Sequence, residues 1–235
     1  MEKYLQELSD YFYSIFEHHE VSTIETTNAM MSYLKEIFKL SQKDVTKYDI
    51  TIKPKNLSKH HDTQALLTFP YNDNETYVIS ISKNLLNMKN QEDLSDIIFG
   101  FFSLGHEIKH ILQYELEDEL MLSHYLSLIE INEQIERYEE VENKKVVDNL
   151  KKLLNNLSYI SPIEQDCDDF SYKNLIYILK LIQEKAHGDF KNFMNLCLEL
   201  CYEFQHKTKT NRKRKNLDKR YLEELLKRQN VSINP

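Results

Sequence analysis

Ile97-Ile98-Phe99-Gly100-Phe101-Phe102-Ser103-Leu104-Gly105-His106-Glu107-Ile108-Lys109-His110 is the stretch from which the rest of the chain can be read. Its first nine residues are apolar or small on every side, the pattern of a helix buried all round. Gly100 and Gly105 are two of only three glycines in 235 residues. Each costs about 1 kcal/mol against alanine inside a helix, so the sequence predicts a neighbour packed close against the backbone there. A helix turns about 100° per residue, which sets His106 and His110 about 40° apart and one turn up the same face. Two imidazoles and a carboxylate carried into a core need partners. A zinc ion would supply one for the histidines, with Glu107 beside them, placed to take a proton from water on the metal.

Zinc sites that do chemistry commonly use three protein ligands, so a third is expected elsewhere. The segment after Ser161-Pro162 reads as a helix to about residue 185. With Glu164 as origin, Asp168 falls at about 40°, Leu175 at about 20°, Ile178 at about −40° and Ile182 near 0°. Asp166, Asp169, Lys173 and Lys180 lie on the other side. Glu164 and Asp168 therefore share the apolar face. Glu164 is the expected third ligand, and Asp168 the acceptor that orients one zinc histidine through its other ring N–H. A second reading of Glu164 stands beside this one: Ser161-Pro162-Ile163-Glu164 is also a capping box with proline at the first helical position.

Outward from this centre, apolar periodicity predicts amphipathic helices over 2–18 and 23–40, with Ile24 on the inward stripe of the second. His18 and His19 close the first helix. Tyr48, Ile50 and Ile52 alternate as a short strand that Pro54 should stop. Residues 64–71 and 75–82 read as a strand hairpin around Asn72-Asp73-Asn74, with His60 and His61 in the loop before it, as a solvated pair or a metal-binding one. A brief helix near 83–88 leads into the core helix, about 92–115. Residues 117–157 read as a charge-dense helical hairpin breaking near Asn143, with Ile129 on its inward stripe. Gly188 separates the helix ending near 185 from another over 189–206, and a last helix covers about 218–229. The expected organisation is one domain over 1–206 and a basic tail over 207–235. Within the domain lie N-terminal helices at 1–45, sheet and motif helix at 46–115, the 117–157 insertion, and helices at 161–206. The fold class is α+β and mostly helical, with a small antiparallel sheet packed on the motif helix.

Net charge is −8. Residues 207–235 hold ten Lys/Arg against three acids, a net +7, which leaves −15 on the rest. Such a body repels nucleic acid, so only the tail could attract it. No run approaches the roughly 20 apolar residues of a membrane span, and the first residues do not read as a signal peptide. Cys167, Cys197 and Cys201, an odd count, read as reduced packing residues of a cytoplasmic protein; a second metal site on Cys197 and Cys201 is the alternative.

His106-Glu107-Ile108-Lys109-His110, followed at a distance by Glu164-Gln165-Asp166-Cys167-Asp168, resembles the gluzincin arrangement of H-E-x-x-H plus E-x-x-x-D. The chain is most similar to the small ImmA/IrrE-like metallopeptidases of phages, mobile elements and bacteria, over about residues 64–172. Cys167 stands where such proteins often have alanine, and the insertion after His110 is long. The resemblance implies a zincin-like core with zinc on His106, His110 and Glu164, and Glu107 as general base. The expected function is a zinc-dependent intracellular metallopeptidase acting on a peptide or protein substrate, without a membrane. Its strand Tyr77-Val78-Ile79-Ser80 would be a rail pairing with extended substrate. Tyr114, Tyr159, Tyr172 and His187 are candidate oxyanion donors. The alternative is a zinc-stabilised regulatory or protein-binding module that cleaves nothing.

Overall fold

The computed structural model describes residues 3–57, 65–68, 76–114 and 119–229. His60, His61 and the turn at 72–74 lie outside them. The chain forms two compact units, one from residues 1–111 and 167–204, the other from 112–166 and 205–235.

In the first unit, α1 (Lys3–His18) and α2 (Thr23–Leu40) each bury one stripe, Leu5, Leu8, Tyr11, Phe12 and Ile15 on α1 and Met30, Tyr33, Leu34, Ile37 and Phe38 on α2. Ser22 and Glu25 close a capping box at the start of α2, satisfying two N–H groups that the helix leaves over. Ile24, expected inward, sits in that first turn and is 73% exposed, because the cap fixes the helix's rotation around the deeper stripe that begins at Thr26.

Three strands follow, β1 (Ile50–Lys55), β2 (Ala65–Thr68) and β3 (Tyr77–Ser82), in the order β1-β3-β2. β2 and β3 pair antiparallel, with Leu67 opposite Ile79. β1 pairs parallel with β3, with Ile52 opposite Ile79, so the sheet is mixed rather than antiparallel. The reason is in β3: Ile79, Ser80, Ile81 and Ser82 are all buried, both faces covered, as suits a middle strand. Pro54 does not stop β1, which runs on to Lys55. A proline is tolerated there because, among the described residues, β1 has a strand on one side only, so a missing N–H can face outward.

α3 (Leu94–Tyr114) then carries Ile97, Ile98, Phe101, Leu104, Ile108 and Ile111 through the core. Its glycines have the expected reason. A Cβ on Gly100 would stand 2.8 Å from the Leu85 carbonyl oxygen, and one on Gly105 would stand 2.5 Å from Ser171 Oγ.

The second unit contains the helical hairpin α4 (Glu119–Glu140) and α5 (Lys144–Ile160), with Asn143 Oδ1 capping α5 by accepting from the Val146 N–H. α6 (Pro162–Lys185) begins in this unit and runs on into the first. α7 (Gly188–Arg228) does the reverse. Two helices were expected where α7 runs unbroken for 41 residues. The basic stretch 207–217 contains no glycine or proline, and lysine and arginine are good helix formers, so nothing local stops it. Leu222 and Leu226 are buried in one cluster with Ile131, Ile135, Val146, Val147, Leu150 and Leu153 of the hairpin. On α4 that inward face is Ile131 and Ile135, while Ile129 is 52% exposed. No helix among the described residues is long and apolar enough to cross a membrane.

Candidate metal centre

The centre lies where α6 crosses α3 in the first unit, and Gly105 permits the crossing. Ser171 of α6 is fully buried and its Oγ donates to the Phe102 carbonyl oxygen at 2.6 Å. A side chain at 105 would fill the space that the hydroxyl takes. Phe102 and Tyr172 stack beside this contact with ring centroids 4.2 Å apart. Tyr172, a candidate oxyanion donor, is thereby a core residue, 1% exposed.

One turn from Ser171, consecutive residues of α6 meet the two histidines. Asp168 Oδ1 lies 2.7 Å from His106 Nδ1, and Cys167 Sγ lies 3.4 Å from His110 Nδ1. The other nitrogens, His106 Nε2 and His110 Nε2, lie 3.1 Å apart. An ionised carboxylate only accepts, so Asp168 fixes a proton on His106 Nδ1 and leaves the Nε2 lone pair of the neutral ring directed at His110. The histidines and Glu107 are half-buried, Asp168 is 9% exposed and Cys167 is fully buried.

His106, His110 and Cys167 bring ligating atoms within 4.8 Å of one another, and this group could hold a metal ion. The donor chemistry fits. Two nitrogens bound tetrahedrally at 2.0–2.1 Å stand about 3.3 Å apart, close to the 3.1 Å separating the two Nε2 atoms.

Glu164 opens α6 one turn before Asp168. Its N–H donates to Ser161 Oγ at 3.1 Å, the serine half of the capping box read from the sequence. Within the second unit this first turn is held from two sides. Gln113 of α3, 2% exposed, donates to the Ile163 carbonyl oxygen at 3.4 Å and to Asp166 Oδ2 at 2.9 Å. Arg212 of α7, also buried, donates to the Glu164 carbonyl oxygen at 3.2 Å. Sequence reasoning missed both supports, which come from distant parts of the chain.

It also missed Cys167 as a partner of the centre. The signal was there: at about −60° from Glu164 it lies on the inward arc of the helix wheel. A small sulfur residue on an apolar face reads equally well as core packing. The strand expected to hold substrate is a different matter. Tyr77, Val78, Ile79 and Ser80 belong to the middle strand, and β1 and β2 flank it from 78 to 80. A rail needs an unpaired edge, and β3 has none there. Tyr114 is 52% exposed, His187 is exposed, and the Lys215 ammonium lies over the Tyr159 ring.

Comparison of the chain with family models, curated proteins and solved structures finds no match.

Proposed function

We propose that this chain is a zinc-dependent metallopeptidase of the cytoplasm with a zincin-like core, cleaving a peptide or protein substrate. The observation that carries the reading is the pair of Nε2 atoms 3.1 Å apart on an H-E-x-x-H helix, with Asp168 on the Nδ1 of one of them. His106 and His110 are two of the ligands. Glu164, on the same helix as Asp168, is the third in this proposal. Zinc, when bound, acts as a Lewis acid toward a peptide carbonyl and lowers the pKa of its water to about 7. Glu107 accepts the proton of the attacking water and passes it to the leaving amine. Asp168 holds His106 in the tautomer whose Nε2 can ligate.

One observation favours a second reading, a zinc-stabilised regulatory or protein-binding module without proteolysis: β3, the expected substrate rail, is paired on both sides. Glu107 separates the two, since a structural site has no use for a base beside its ligands. Metal analysis should find about one zinc per chain, lost in His106→Ala, His110→Ala and Glu164→Ala and kept in Asp166→Ala. Glu107→Gln should keep zinc and fold while abolishing hydrolysis, because an amide cannot take the proton. Zinc retained by Glu164→Ala would remove that residue from the site. Undiminished cleavage by Glu107→Gln would refute the mechanism.

A further inference from the structure

We infer that Cys167 is a positioning residue for His110, holding its Nδ1 as Asp168 holds that of His106, rather than a ligand of the metal. The inference rests on the zinc reading above and concerns this chain's own residues around the second histidine. Cys167 Sγ meets the ring at Nδ1, 3.4 Å away. The nitrogen facing His106 is Nε2, at 3.1 Å. The two nitrogens of an imidazole direct their lone pairs away from each other. A sulfur lodged against Nδ1 is therefore on the wrong side of the ring to share an ion held by Nε2. It is on the right side to accept a hydrogen bond from Nδ1–H, which leaves the lone pair on Nε2.

The helix explains why the two supports are neighbours in sequence. Residues 167 and 168 are about 100° apart around α6, and His106 and His110 are one turn apart along α3. One turn of α6 lying across that turn of α3 presents one side chain to each ring. Burial fits the same role. Cys167 is fully buried, so the sulfur is a fixed part of the packing around His110. The arrangement is unsymmetrical, a carboxylate on one histidine and a weakly accepting sulfur on the other.

The test uses the full chain and two readouts that do not depend on hydrolysis. Zinc affinity is measured by competition with a chromophoric chelator for wild type, Cys167→Ser, Cys167→Ala and Cys167→Val, with thermal melts of the metal-free proteins to establish folding. Serine can accept the same N–H, whereas alanine and valine cannot, and valine fills the space that alanine empties. Cys167→Ser should bind zinc nearly as wild type does. Cys167→Ala and Cys167→Val should bind about 10- to 100-fold more weakly. Valine binding as tightly as serine would overturn the proposal, since packing alone would then explain the residue.

Cobalt(II) substitution of the wild type gives the second readout and needs no variant to fold. Visible d–d bands without a near-ultraviolet thiolate-to-cobalt band are expected. A thiolate band that disappears in Cys167→Ser would make Cys167 a ligand and overturn the proposal. His106→Ala and His110→Ala separate this outcome from failure of the zinc reading. If they keep the metal, the site itself is misassigned. If they lose it while all Cys167 variants keep wild-type affinity, only the positioning role falls.

Discussion

Replacing Gly105 by alanine tests the helix crossing on which the centre depends. The new Cβ would stand 2.5 Å from Ser171 Oγ and 3.2 Å from both Ser171 Cβ and the Tyr33 hydroxyl oxygen. The first distance is too short for any contact, so the Ser171 hydroxyl must turn away from the Phe102 carbonyl, to which it now donates at 2.6 Å. A buried hydroxyl left without its partner costs about 1–3 kcal/mol. The Cβ contact remains after that rotation, and relieving it pushes α6 from α3, an overpacking cost of about 1–3 kcal/mol. Alanine returns about 1 kcal/mol of helix propensity. The net is a loss of roughly 1–5 kcal/mol, read as a lower urea midpoint for the metal-free protein. Asp168 is three residues before Ser171 on α6, so the same displacement should draw it from His106 and weaken binding of the metal proposed there. Gly105→Ala combined with Ser171→Ala removes the worst clash and should recover at least about 1 kcal/mol relative to Gly105→Ala alone. A Gly105→Ala protein as stable as wild type, or more stable by the propensity gain, would refute the close crossing.

Leu226→Ala probes the second unit: Leu226 is fully buried among the hairpin leucines and valines, so about 2–5 kcal/mol should be lost, with faster amide exchange across α5. A loss below about 1 kcal/mol would show that the end of α7 is not part of that core. Glu36 is 3% exposed, and burial raises its carboxyl above the ordinary carboxylate range. The native state therefore holds this proton to higher pH than the unfolded chain, so its stabilising term is full at low pH and is lost as pH rises through the native value. Glu36→Gln should raise Tm at pH 7 more than at pH 4, and equal shifts at the two would contradict the argument.

What the sequence determined by itself was whatever local rules carry. The apolar period placed α1, α2, α3, α5 and α6, and Ser161-Pro162 and Gly188 set boundaries, because helix spacing and cap chemistry are properties of a few adjacent residues. His106 and His110 had to share a face once α3 was a helix. The glycines at 100 and 105 announced close neighbours, although not which ones. Tertiary structure alone decided the rest. Alternation marks a strand but says nothing of whether its neighbour runs parallel, so the place of β3 between β1 and β2 could not be read. A basic run is equally compatible with a solvated tail and with a helix, and it was burial of Leu222 and Leu226 that made α7 part of a core. Asp168 and Cys167 both lay on the inward arc of α6. Which ring each would meet, and by which nitrogen, depended on the rotation of one helix against the other, and packing across Gly105 and Ser171 sets that rotation.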